Sequence, residues 1–316
     1  MSKAGKLEFR NFSAADTDAL LWSLHNQFLK ADEPLEDWLQ RVSSPPVNQI
    51  KQVFQSAYLN GQVVGYIRIS EIDPDVLDVN LAVRDEWRGQ SIGSRLWEHL
   101  RVESQSFTAR RWLTSLQNPS AAALHFLQQR GFIVRERSIH SRLNLPATGD
   151  TGLIPQLEAQ GYGFCTLQSV RDTSANREKL YWLVREAVMD DPSFAGEFET
   201  LEQFGQMADG WYWNEADTRY LAIQGDKWVA LSGLHPKPAQ PFVSTSLTGV
   251  AKTHRGRGLA QAVKLMSIAD ATARGYSEIR TSNDSRNAVM LAVNRKLGFQ
   301  AISEFVWLER TNDSHT

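Results

Sequence analysis

Arg88-Gly89-Gln90-Ser91-Ile92-Gly93 is answered, 167 positions further along, by Arg255-Gly256-Arg257-Gly258-Leu259-Ala260. Gly131-Phe132 is answered at the same offset by Gly298-Phe299. One Gly-rich stretch is a common accident; two of them, each followed 43 positions later by Gly-Phe, are not. The spacing predicts one α/β unit duplicated in tandem, each copy built around a strand-to-helix turn that can hold phosphate. The first N–H groups of a helix lack intrahelical partners and the helix dipole is positive at that end, so small residues there let an anion reach the backbone. A pyrophosphate suits that chemistry, with Arg88 and Arg255 adding charge beside each turn. The bland alternative is a tight turn that binds nothing.

The flanking segments repeat in the same order. In the first copy Leu7–Phe12 alternates as a half-buried strand, and helices are expected over 19–24 and 35–42. Strands follow at 52–59 and 63–70 around the turn signal Asn60-Gly61, then at 76–83, leading straight into the first Gly-rich loop. A helix through Leu96, Trp97 and Leu100, a strand at 112–115, a helix at 121–129 and a strand after Gly131 complete it. In the second copy a strand at 164–167 precedes a helix capped by Asp172 or Ser174, then a helix over 198–207. A hairpin pairs 220–223 with 228–231, a single strand spans 243–250, and helix 259–274 ends at Gly275. A strand at 279–281, a helix at 287–296 and a strand at 305–308 close the chain. The Pro-, Gly- and Asp-containing run 144–153 has no apolar period, which places a linker at 147–153 between domains 1–146 and 154–316.

At 316 residues the chain has room for two domains of about 150 each. A net charge of −2 argues against nucleic acid as the partner. The single cysteine, Cys165, excludes an internal disulfide and fits a reducing compartment. Seven scattered histidines offer no metal-ligand spacing, so no metal is expected. Residues 1–12 carry no apolar leader and no stretch approaches the ~18 apolar residues of a membrane span. The expectation is a cytoplasmic protein, monomer or homodimer, with no membrane partner.

Neither loop has the GxxxxGK[ST] of a P-loop, and Gln261 stands where a dinucleotide fingerprint needs its third glycine. The pattern that fits is Arg/Gln-x-x-Gly-x-Gly/Ala, and with it the chain resembles the GNAT superfamily of acyl-CoA-dependent N-acyltransferases, twice over and along nearly its whole length. It is similar to tandem members of that family, among them relatives of mycothiol synthase. The resemblance implies an α/β (α+β) fold of two tandem GNAT-type domains, each a mixed, mainly antiparallel twisted sheet flanked by helices. It implies acetyl-CoA as coenzyme, its pyrophosphate on the loop and its pantetheine arm in the gap where the fourth and fifth strands splay apart.

Carried onto these residues, the second copy matches fully. Arg255, Gly256, Arg257, Gly258, Leu259 and Ala260 form the pyrophosphate loop, Thr248, Gly249 and Val250 offer backbone to the pantetheine with Gly249 at a bulge, and Asn283, Asn287 and Asn294 follow the fifth strand. Asn283 and Asn287 could equally be turn and N-cap residues. The first copy departs: Val83, Arg88, Gly89, Gln90, Ser91, Ile92, Gly93 and Asn118 make a weaker second site, because Ser91 replaces the middle glycine and its Cβ is expected to crowd the cradle.

The implied chemistry is direct attack of an amine on the thioester. Where many family members place a tyrosine acid, four positions before the final Gly-Phe, this chain has Leu127 and Asn294. Asn294 can hold the sulfur or the pantetheine by a hydrogen bond but is no acid. Candidate bases are Glu71, Asp73, His235 and Glu304, each with a structural role as its alternative. Trp211-Tyr212-Trp213 could wall an acceptor pocket or pack beneath the hairpin. The expected function is acetyl transfer from acetyl-CoA to a primary amine of a small molecule, with the second domain catalytic. The alternative is an acyl-CoA-binding protein that does not turn over.

Overall fold

The computed structural model describes residues 6–11, 51–147, 152–236 and 240–311. The helices expected within 12–50 lie outside the described residues, as does most of the expected linker. The chain folds into two compact units, 1–136 with 305–316 and 137–304.

In the first unit, β1 (Glu8–Asn11), β2 (Gln52–Leu59), β3 (Gln62–Asp73) and β4 (Val76–Val83) pair antiparallel in chain order. Asn60 and Gly61 turn β2 into β3 with φ of +53° and +79°, the double positive φ that a two-residue hairpin turn requires. Helix α1 (Ile92–Glu103) follows β4, then β5 (Arg111–Gln117) and helix α2 (Ala121–Gln128). β4 and β5 are parallel but pair only at Val76, Leu77 and Asp78; beyond Asp78 the two strands diverge. Leu96, Trp97 and Leu100 on the inner face of α1 join Ile67, Trp112 and Phe132 in one core.

The second unit repeats this plan. Helix α3 (Leu153–Glu158) leads into β7 (Tyr162–Thr166), α4 (Ser174–Met189) and α5 (Leu201–Ala208). Strands β8 (Arg219–Gln224) and β9 (Lys227–His235) form the expected hairpin. The cap of α4 is Thr173, whose hydroxyl accepts from Asn176 N, rather than Asp172 or Ser174. The strand expected over 243–250 is two short pieces, β10 (Phe242–Thr245) and β11 (Gly249–Val250). Both pair with β9, with Ser246 N donating to Gly233 O in the gap. Helix α6 (Leu259–Ala273), β12 (Glu278–Asp284) and α7 (Ala288–Lys296) follow, and β10 pairs parallel with β12 at three positions only.

The closing strands contradict the expected division. β6 (Ile133–Asn144) runs through the boundary, and its part from Ser138 to Asn144 pairs antiparallel with β12 in the second unit. β13 (Gln300–Thr311) does the reverse: Phe305–Thr311 pairs antiparallel with β5 in the first unit. Residues 137–146 and 305–316 therefore each lie with the opposite unit from the one their chain order suggests. Alternation identifies a strand and its buried face, but the partner is chosen by backbone hydrogen bonds from segments remote in sequence. Each unit remains a mixed, mainly antiparallel sheet flanked by helices, with one parallel pair at its centre.

Candidate active site

The two Gly-rich loops fold alike. Gly89 and Gly256 have φ of +75° and +74°; Ser91 and Gly258, the residues before α1 and α6, have +59° and +87°. Arg88 Nε donates to Val83 O at 3.2 Å and Arg255 Nε to Val250 O at 3.0 Å, closing each loop onto its preceding strand. Ser91 therefore holds the same left-handed conformation as the glycine, at a cost of roughly 1–2 kcal/mol for a residue with a Cβ.

In the first unit the loop opens into a cleft of about 710 Å³ between the diverging β4 and β5. Asn80, Val83, Gly89, Ser91 and Gly93 line its β4 and loop side, and Ser115 and Asn118 its β5 side. Asn118 is left-handed, with φ of +44°. It is not the helix cap: Ser120 Oγ accepts from Ala123 N at 3.2 Å, and Asn287 Oδ1 accepts from Met290 N at 3.1 Å, so the caps of α2 and α7 keep the offset of the repeat. The floor is apolar, made by Trp97, Leu127 and Phe132.

Two polar groups in this cleft were not singled out from the sequence. Gln117 Oε1 is buried with no hydrogen-bond partner among the described residues. Tyr66 is buried in β3, its ring edge-on to Phe54, and its hydroxyl has no partner among the described residues. Burial pushes that phenol up to about 12, with Arg68 opposing and Asp78 adding, so it stays protonated at neutral pH with its O–H available to a ligand. In the alternation of β3 a tyrosine reads as one more core residue, and nothing in its spacing marks it.

The second unit places its expected site residues differently. Arg255 also pairs with Asp190, and Arg257 donates to Tyr162 Oη at 2.9 Å and Thr253 O at 3.3 Å. The side chain of Leu153 lies 3.2 Å from where a Cβ on Gly258 would stand. Thr248 Oγ1 is 2.9 Å from Ser232 Oγ. At Gly249 a Cβ would collide with Ala187 of α4, so that glycine is required by helix-to-strand packing. Asn294 Nδ2 donates to Asn283 Oδ1 at 2.7 Å, while Asn294 Oδ1 is buried without a partner among the described residues.

The candidate bases are dispersed. Glu304 pairs with Arg137 at 2.9 Å. His235 Nδ1 is 3.2 Å from Glu215, and its ring stacks on the exposed Trp211. Tyr212 packs against Phe204 instead of facing solvent. Asp73 accepts from Asp75 N in the turn after β3, and Glu71 stands two residues before it near the end of that strand. Burial pushes the Cys165 thiol up, against a hydrogen bond from Ser169, which fits a packing residue. Among the described residues no cluster of His, Cys, Asp and Glu could hold a metal ion.

A strand-to-helix anion cradle opening into the gap between diverging parallel strands is the arrangement against which known proteins can be compared. The model of the acetyltransferase (GNAT) family matches residues 17–132. Over those residues the chain is similar to a GNAT acetyltransferase domain. No curated protein matches the sequence. Among solved structures, a GCN5-related N-acetyltransferase from Sphaerobacter thermophilus is similar with a TM-score of 0.64 at 18% identity, over 96% of this chain and 95% of that one. A tandem GNAT protein from the clavulanic acid biosynthesis pathway gives 0.59 at 18% identity, over 97% and 98%. A GCN5-related glucosamine N-acetyltransferase region of a fungal multi-domain β-N-acetylglucosaminidase gives 0.62 at 13%, over 96% of this chain and 38% of that one. The likeness to the first two along their whole length extends the GNAT fold to the second unit.

Proposed function

We propose that the protein is an acetyl-CoA-dependent N-acetyltransferase acting on the primary amine of a small molecule, and that the coenzyme occupies the cleft of the first unit. One observation carries this: the first-unit loop, with its free helix mouth, opens directly into the gap that the diverging β4 and β5 leave between them. The unpaired edges of both strands beyond Asp78 and Leu113 suit a pantetheine arm, which carries amides of its own. Gln117 Oε1, buried without a partner, is an acceptor for one of those amides. The second unit's loop matches the family pattern better, but the cleft of about 710 Å³ adjoins the loop of the first.

Acetyl-CoA supplies the acyl thioester. The helix mouth at Gly89–Gly93 orients the diphosphate, and the strand edges align the thioester for attack. Tyr66, held protonated, can donate a hydrogen bond to developing negative charge. It is a poor proton source for a thiolate whose own conjugate acid lies near ~8.5, so the proton for the leaving thiolate would come from solvent or from the acceptor nitrogen, which must lose one as the amide forms. The test is release of CoA thiol with a panel of small primary amines. Turnover with at least one amine is expected; tight acetyl-CoA binding with no release for any amine would leave the non-catalytic binding protein as the better account.

A further inference from the structure

Three residues of the first-unit cleft floor have partners at the repeat offset in the second unit, and two have changed character. Trp97 becomes Lys264, six residues into its helix in both cases; Leu127 becomes Asn294, seven residues past its cap in both; Phe132 remains Phe299. The packing is conserved along with the register. The Trp97 and Phe132 rings lie 6.0 Å apart, and Lys264 Nζ lies 5.3 Å from the Phe299 ring. Lys264 and Asn294 are each only 2% exposed. Lys264 Nζ has no anionic or hydrogen-bonding partner among the described residues and lies over the ring of Phe299. Asn294 Oδ1 has none either. An ammonium stripped of nearly all its water, with no carboxylate beside it, is costlier than the tryptophan that the repeat carries at this place, and an orphaned amide oxygen adds to that cost.

We propose that the second unit binds a small carboxylate between α6 and α7, with Lys264 Nζ as its cation and Asn294 Oδ1 accepting from an N–H or O–H of the same ligand. The carboxylate is either the acid tip of a dicarboxylic acyl-CoA thioester or a free hydroxy acid. The first unit's floor, with Trp97 and Leu127, offers such a group nothing. The burial that lowers the Lys264 amine to about 8 in the ligand-free protein is the same burial a bound carboxylate would offset.

The experiment uses the full chain with the first-unit cleft blocked by Gly93→Glu, titrated calorimetrically with succinyl-CoA, acetyl-CoA and malate. Binding of succinyl-CoA or malate is expected, weakened roughly 30-fold or more by adding Lys264→Met. Succinyl-CoA alone assigns the thioester's acid tip; malate assigns the free acid. The Lys264→Met substitution should at the same time raise the melting temperature of the ligand-free protein, because it removes an unpaired buried charge. A merely structural lysine gives the opposite pattern, a lower melting temperature with unchanged affinity. The proposal is overturned if neither carboxylate binds, if Lys264→Met binds as the parent does, or if acetyl-CoA binds the blocked protein as tightly as succinyl-CoA with the same dependence on Lys264. Since the site lies in the second unit, none of these results bears on whether acetyl-CoA occupies the first.

Discussion

The two units keep one loop and differ in the floor beneath the strands that follow from it. Ser91 holds the conformation of Gly258, and both arginines bridge back to the same strand position. Yet Trp97 and Leu127 give the first cleft an apolar base, whereas the matching positions of the second unit are Lys264, with no carboxylate beside it among the described residues, and Asn294, whose Oδ1 has no partner there. A duplicated backbone motif thus survives substitution as long as φ is respected, while the chemistry of the site is set by side chains a turn or two further on. Agreement with a loop pattern is therefore a weak guide to which copy holds a given ligand.

The comparison breaks most sharply at matched helix mouths. Gly93→Glu places bulk and negative charge in the first cleft and is expected to weaken acetyl-CoA binding by roughly 100-fold or more. Ala260→Glu, its counterpart in the second unit, should leave acetyl-CoA affinity within about threefold. Equal losses from the two, read by calorimetry, would mean that acetyl-CoA uses both copies.

The next largest difference concerns a single methyl group. Gly65 faces Val83 across the β3–β4 ladder, and its counterpart facing Val250 is Ala230. A Cβ at Gly65 would strike Ala82 O and come within 2.9 Å of Leu96 Cδ1. Gly65→Ala should cost about 3 kcal/mol by overpacking, against about 1 kcal/mol for Ala230→Gly from chain entropy, both measured by denaturant unfolding.

Lys264 has a pH signature that Trp97 lacks. Its amine falls from 10.5 to about 8 on folding, so between those values the unfolded chain holds more protons and stability rises with pH. Below about 8 the penalty is present in full. Relative to Lys264→Met, the parent should gain on the order of 2 kcal/mol between pH 8 and 10.5, followed by unfolding across that range. A pH-independent difference between the two proteins would mean that the amine is solvated.

The smallest effect sharpens the view of the loops. Ser91→Gly relieves a left-handed residue and should stabilise the protein by about 1 kcal/mol, visible as a rise of a few degrees in melting temperature. Gly258→Ala adds a Cβ 3.2 Å from Leu153 at a positive φ and should destabilise by about 1–2 kcal/mol.

Much of this molecule could be read residue by residue. Asn60-Gly61 specified its hairpin because few pairs accept two positive φ angles, and the Gly-rich loops announced both helix starts. The repeat offset, carried through to the caps at Ser120 and Asn287, placed the two copies in register. These features are local: they depend on φ, on alternation, and on which atoms lie within a few residues along the chain. The partners of β6 and β13, the divergence of β4 from β5, the place of Tyr66 at the cleft and the isolation of Lys264 depend instead on segments far apart in sequence. A strand's pattern says which face is buried and is silent on its neighbour, and a lysine's letter says nothing of whether an anion stands beside it. Those two facts, ladder partner and local dielectric, exist only once the chain has folded.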